Sequence, residues 1–181
     1  MMQRMGCFKT VAVALAERTK SYLAAHVGIG VAGVQVATDE VDHLRLRHAT
    51  AVIGVGGSVG MLIAFSFSRL LADAVYERLM AGIDIPADEE AAYRESAVTE
   101  LANIIIGNCT ADFACGSERI SLTPPVLLED TKSIFRMKDA RFGTVALETS
   151  YGPLDIHMVG PCDMFDAELN YEKVGNDHAT A

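Results

Sequence analysis

Ala49-Thr50-Ala51-Val52-Ile53-Gly54-Val55-Gly56-Gly57-Ser58-Val59-Gly60-Met61-Leu62-Ile63-Ala64-Phe65-Ser66-Phe67-Ser68 is a run of twenty residues without a charge. Its length and its Gly56-x-x-x-Gly60 spacing would suit a membrane helix with a dimer face. Two adjacent glycines and a serine in mid-span, flanked by β-branched residues, suit a β-hairpin better. Residues 50–55 form one strand, Gly56-Gly57-Ser58 the turn and residues 61–67 the other strand. Both strands are mostly apolar, which places them near the centre of a sheet. No membrane insertion is expected, and a membrane-embedded dimer through Gly56 and Gly60 is the reading that the hairpin displaces.

Upstream, Phe8, Val11, Leu15 and Tyr22 recur at helical spacing and give a first helix over about residues 7–26. A strand over 31–37 follows, then a turn at Thr38-Asp39-Glu40 and a long strand starting near Val41. Downstream, Ser68 is the expected N-cap of a helix with Leu71, Val75 and Leu79 on one face and Gly82 at its end. Pro86 with Asp88, Glu89 and Glu90 opens a further helix, the carboxylates favourably placed at its positive end, which runs to Gly107 or beyond. Residues 119–122 are a short strand stopped by Pro124 and Pro125. Residues 142–150 and 154–159, joined by Tyr151-Gly152-Pro153, form a second hairpin. The order helix, three strands, two helices, three strands defines the fold class: α+β, with an antiparallel β-sheet packed with helices.

The chain has 181 residues, 50% of them hydrophobic, enough for one domain with a sizeable core. Fifteen Lys and Arg against 24 Asp and Glu leave a net charge of −9. That excludes a nucleic-acid partner as the main one, since such binding gathers Lys and Arg on one face. Residues 1–80 carry a net +2 and residues 81–181 a net −11, so the acidity is concentrated in the second half, where it can steer a basic partner. Cys7, Cys109, Cys115 and Cys162 form no C-x-x-C pair and have no His at metal spacing, which leaves no zinc or dithiol motif and reads as reduced thiols. His26, His43, His48 and His178 are equally scattered. Near the N-terminus, Glu17, Arg18 and Lys20 follow the apolar run 11–16 at once, which suits a helix rather than a cleaved signal, so a cytoplasmic location is expected.

Two motifs match in letters but not in context. Gly28-Ile29-Gly30-Val31-Ala32-Gly33 spells the dinucleotide fingerprint, which must leave a strand and open a helix. Here a helix precedes and a strand follows, so it reads as a helix stop. Gly56-Gly57-Ser58-Val59-Gly60 spells a nucleophile elbow, which requires a strand-to-helix turn and a base. A strand follows instead, and nothing brings His157 to Ser58.

The helix after Pro86 carries the sequence Arg94-Glu95-Ser96-Ala97-Val98-Thr99-Glu100-Leu101-Ala102-Asn103-Ile104-Ile105-Ile106-Gly107-Asn108. At about 100° per residue, Ser96, Glu100, Asn103 and Gly107 fall within roughly 60° of one another, while Val98, Leu101, Ile104 and Ile105 cluster on the other side. The pattern admits two readings, a solvated face or a partner-facing strip. Two residues strain the first: Asn is a poor helix former in mid-helix, and Gly107 costs about 1 kcal/mol against Ala. A neutral amide beside a carboxylate, with a small residue one turn on, leaves room for a partner to approach closely.

Ser96-x-x-x-Glu100-x-x-Asn103, continuing Ile104-Ile105-Ile106-Gly107-Asn108, resembles the signature helix of the CheX branch of the CheC/CheX/FliY chemotaxis phosphatases. That signature is an Asp or Ser, then Glu, then Asn, with a Pro roughly twenty residues on. Pro124 and Pro125 stand 21 and 22 residues after Asn103, about one residue short of the family position, which implies a small deletion in the loop. The 54–68 hairpin feeding the 70–80 helix is also similar to the CheX sheet-to-helix passage. The resemblance spans about residues 7–160, and a single copy of the Glu/Asn motif favours CheX over CheC, which carries two. It implies a CheX-like domain over residues 1–162 and a polar C-terminal tail over 163–181.

The implied activity is dephosphorylation of the phospho-aspartate of a CheY-type response regulator. Asn103 would hold the attacking water, and Glu100 would pair with the lysine that regulators keep beside the phosphate. Ser96 and Gly107 would be partner contacts, with Ser96 a helix-surface residue rather than a nucleophile. The resemblance implies no metal or cofactor of the chain's own, the magnesium ion belonging to the regulator, and a homodimer built through the sheet. A CheX-like module that binds receivers or dimerises without hydrolysis is the alternative.

Overall fold

An uncharged run satisfies its backbone groups by pairing its two halves with each other and with strands on either side. In the computed structural model, which describes residues 7–39, 43–57, 59–113, 119–130, 133–135, 138–161 and 172–173, that run forms two antiparallel strands, Ala49–Gly56 (β3) and Met61–Phe67 (β4). Their register runs from Ala49 opposite Phe67 to Val55 opposite Met61. The turn depends on glycine at Gly57. Its φ is 79°, and a Cβ there would collide with the backbone of Arg119. Among the described residues, no helix is long and apolar enough to cross a membrane.

Around this hairpin the chain runs as helix α1 (Cys7–Tyr22), a π-helical turn (Leu23–Val27), β1 (Val31–Asp39), β2 (His43–Arg45), β3, β4, α2 (Arg69–Leu79), α3 (Glu90–Phe113), β5 (Ser121–Leu122), β6 (Val126–Glu129), β7 (Ser133–Phe135), β8 (Ala140–Thr149), β9 (Gly152–Pro161) and β10 (Glu172–Lys173). The main sheet is ordered β10-β1-β8-β9-β4-β3-β5, with β6 also on β3, and every pairing is antiparallel. β2 and β7 form a separate two-stranded sheet. The second hairpin is β8 and β9, paired from Ala140 opposite Pro161 to Thr149 opposite Gly152.

Alternation decides which face of the sheet receives the helices. Ala51, Ile53 and Val55 of β3, and Ile63, Phe65 and Phe67 of β4, are buried in one core with Leu15 of α1 and Leu101, Ile105 and Phe113 of α3. Each large apolar side chain so buried contributes about 1.5–3 kcal/mol, so the buried stripe of α3 fixes the helix firmly on the sheet. The other face carries a polar cluster. Thr50 and Ser66 share a buried hydroxyl contact of 2.9 Å, the Arg47 backbone N–H donates to Ser66 Oγ at 2.7 Å, and Arg47 Nε donates to Asp155 Oδ2 at 2.6 Å.

That cluster corrects one expectation. The long strand starting near Val41 is two strands, β2 and β3, because Arg47 is drawn onto Ser66 and Asp155 and His48 lies 3.1 Å from Asp130 Oδ1, which takes β2 off the main ladder. Val41 itself lies outside the described residues. Pro124 and Pro125 do stop β5, but the chain resumes pairing at Val126, opposite Val52, to give β6, and β7 follows; neither strand is announced by periodicity. The first helix gives way to the π-helical turn after Tyr22 and is closed by Gly28, whose φ is 67°.

Ser68 occupies the N-cap position of α2 but makes no side-chain cap bond; its hydroxyl donates to the Tyr151 carbonyl at 3.2 Å. It therefore ties the helix entry to the β8–β9 turn. Gly82, with φ 84°, sits in the turn after α2. α3 begins at Glu90 rather than directly after Pro86, because Glu89 N–H bonds the Pro86 carbonyl in an intervening turn. Of the 163–181 segment, Glu172 and Lys173 pair with Val36 and Gln35 on the outer side of β1, and the rest lies outside the described residues.

Candidate functional site

α3 is the longest helix of the described chain, 24 residues, and two ion-pair clusters hold it. Near its start, Arg94 reaches Asp73 of α2 at 2.7 Å and Glu90 one turn back at 2.9 Å, with its guanidinium 4.3 Å from the Tyr76 ring centre. The Glu90 hydrogen bond, with the charges of Glu90 and Asp73, raises the arginine pKa against the opposing effect of burial. Near its end, Asp112 accepts from Arg18 of α1 at 2.9 Å.

Between the clamps, Ala97, Val98, Leu101, Ala102, Ile105 and Ile106 are buried against the sheet and α1. Ser96, Glu100 and Gly107 are exposed and Asn103 is half-buried, so the four residues share one outward strip, as their spacing predicts. Among the described residues, Glu100 and Asn103 have no side-chain hydrogen bond or ion pair. The two hydroxyls beside them turn inward: Thr99 donates to the Glu95 and Ser96 carbonyls at 3.1 Å each, and Thr110 to the Gly107 carbonyl at 2.8 Å. The strip thus presents one carboxylate and one carboxamide a helical turn apart, both uncommitted. A Cβ added at Gly107 would meet nothing within 4 Å. Internal packing therefore does not require glycine at this position.

A hollow of about 560 Å³ opens along one edge of the strip. Tyr22 at the end of α1, Leu79 and Met80 at the end of α2, and Tyr93 and Ile104 of α3 line it, with Ser96 and Glu100 on its rim. Sequence reasoning missed it. Its only signal is that large apolar residues on three elements are left half-exposed, and their convergence is a property of the fold.

The two letter-matched motifs are turns here. Gly28 caps the π-helical turn, and β1 follows it. Gly57 belongs to the β3–β4 turn, while Ser58 lies outside the described residues. His157 is buried on β9, 3.0 Å from Thr144 Oγ1, on the sheet face away from α3. Of the cysteines, Cys109 is a free buried thiol, whereas Cys115 and Cys162 are outside the described residues. Among the described residues, no group of three or more His, Cys, Asp or Glu side chains could hold a metal ion.

A three-helix layer on an antiparallel sheet, with a polar strip on its longest helix, defines a CheC/CheX-like domain. The solved structures agree. The chemotaxis protein CheX of Desulfovibrio desulfuricans superposes with a TM-score of 0.70 at 20% identity, over 82% of this chain and 97% of that one. A CheC-like superfamily protein of a Shewanella species gives 0.66 at 13% identity, over 83% and 96%. CheX in the CheX–CheY–BeF3–Mg2+ complex of Borrelia burgdorferi gives 0.60 at 14% identity, over 82% and 96%. No curated protein sequence matches the chain. Residues 49–146 match the family model of the chemotaxis phosphatase CheX, and the chain belongs to that family.

Proposed function

We propose that the protein hydrolyses the phospho-aspartate of a CheY-type response regulator, with Asn103 and Glu100 as the catalytic pair. The observation that carries this reading is the uncommitted Glu100/Asn103 pair on a helix clamped at both ends. Family membership and the CheY partner of the Borrelia relative support it.

An acyl phosphate is already activated, and its transfer to water passes through a loose transition state that needs alignment more than a strong base. Asn103 enters the regulator's active site, where its amide both donates and accepts and so holds a water in line with the phosphorus. The water oxygen bonds to phosphorus as the bond to the aspartyl oxygen breaks, releasing the carboxylate and inorganic phosphate. Glu100 pairs with the regulator's lysine, which docks the amide and draws that lysine off the phosphoryl group. Ser96 and Gly107 flank the pair as contact surface, and the magnesium ion is assigned to the regulator.

The test follows decay of a CheY-type receiver phosphorylated with acetyl phosphate. Wild type should accelerate decay, and Asn103→Ala should lose on the order of 10²-fold of the acceleration. A variant as fast as wild type would refute the assignment. A complex that forms while the phosphate lifetime stays unchanged would indicate a receiver-binding module instead. The homodimer implied by the family resemblance is checked by sedimentation of the same sample.

A further inference from the structure

We propose that the hollow beside the strip is a second docking point for the receiver, one that takes an apolar side chain carried on a basic segment of that partner. This rests on the phosphatase reading and names what would select one regulator over another. Ser96 and Glu100 belong to both surfaces, so a receiver whose phosphoryl group lies over Asn103 also covers the hollow. Its walls, Leu79, Met80, Tyr93 and Ile104, are only half-buried in the chain alone. Drying them is favourable by about 25 cal/mol per Å² of apolar surface.

Glu100 is the charged residue that lines the hollow, and the charge of the segment leading to it defines the rest of the occupant. Residues 84–100 carry Asp84, Asp88, Glu89, Glu90, Glu95 and Glu100 against one cation, Arg94, which is already engaged by Asp73 and Glu90. Glu89 immediately precedes α3, its carbonyl accepting the Tyr93 N–H at 3.1 Å, and Glu100 stands three turns further on. Glu90 already has Arg94, but a bare hydrophobic segment would leave Glu100 and the other carboxylates of this stretch without counter-charges; basic residues on either side of an apolar one would meet them. The walls are also preformed. The Arg94 clamp fixes α2 against α3, and the Ile83 N–H bonds the Met80 carbonyl at 3.0 Å, so little ordering cost falls on binding.

The experiment measures KM and kcat for decay of each CheY-type receiver encoded in the source genome, phosphorylated with acetyl phosphate. Ala92→Phe fills the hollow from an exposed helical position, and Met80→Lys sets a cation in its wall against the basic segment. Each should raise KM about tenfold, the effect of losing one modest hot spot. Asn103→Ala should instead lower kcat, and a bulky control on β1, Ala32→Phe, should leave KM alone. An active wild type whose KM is unmoved by both hollow variants overturns the inference and leaves the phosphatase reading standing. Variants that turn a dimer into a monomer at unchanged KM also overturn it, since the occupant is then a second copy. If wild type does not speed decay, but a beryllofluoride-loaded receiver binds it and not Ala92→Phe, the docking point stands and the catalytic reading falls. No binding to wild type overturns both.

Discussion

Gly107 stands in a helix interior with no steric reason of its own. An alanine methyl would meet nothing within 4 Å, and glycine there costs about 1 kcal/mol. Gly107→Ala should therefore raise the urea midpoint by the equivalent of up to about 1 kcal/mol and, if the proposed receiver docks on this strip, weaken its capture, because the added methyl would stand in the contact surface. A gain in stability with no loss of capture would assign the glycine no role in docking. On the opposite side of the same helix, burial pushes the Cys109 thiol from 9.0 up to about 12, with Asp112 adding to the rise and Arg18 opposing it. The folded state then holds a proton that the unfolded chain releases, so this group's stabilisation is complete below pH 9 and is lost as pH climbs toward 12. Denaturation midpoints between pH 8 and 11 should fall more steeply for wild type than for Cys109→Ala. At this scale the sequence was informative wherever a residue type contradicts its setting: an amide and a glycine in mid-helix identify the strip. It gave no warning that the Ser68 hydroxyl turns to the Tyr151 carbonyl, since the β8–β9 turn reaches α2 only in the folded chain.

Elements were legible where one local rule governed them. The β3–β4 hairpin follows from paired glycines between apolar runs, and the α3 strip from helical spacing. The hairpin's dependence on Gly57 is testable. An L-residue in the left-handed region costs roughly 1–2 kcal/mol, and the Arg119 backbone must move as well. Gly57→Ala should lower stability by about 2–3 kcal/mol in a urea titration, and a loss under about 0.5 kcal/mol would mean that the turn relaxes freely. β2, β6 and β7 were illegible for the opposite reason. They span three, four and three residues, too short for a period, and their partners are distant in sequence. Pro124 and Pro125 punctuate the chain correctly but say nothing of the pairing that resumes after them.

At the scale of the whole molecule, the uneven charge falls into place. The N-terminal half supplies α1, α2 and four strands, whereas α3 and most of the carboxylates belong to the second half. If acidity around α3 steers a basic receiver, association should slow as salt rises and the screening length shrinks from about 10 Å at 0.1 M to about 3 Å at 1 M. Stopped-flow association rates that ignore ionic strength would remove steering from the account. The fold class could be read from element order, but the hollow could not, because it exists only once the ends of α1 and α2 meet α3.

The division of labour on β3 has a consequence for how the protein survives at high concentration. Its outer flank is served by β5 and β6 in succession, with Thr123, which bonds Gly54 through both its N–H and its hydroxyl, and two prolines between them. A foreign strand laid along that rim finds only two short pieces and a gap whose one amide donor is spent on Gly54, so templated cross-β growth has no continuous surface to copy there.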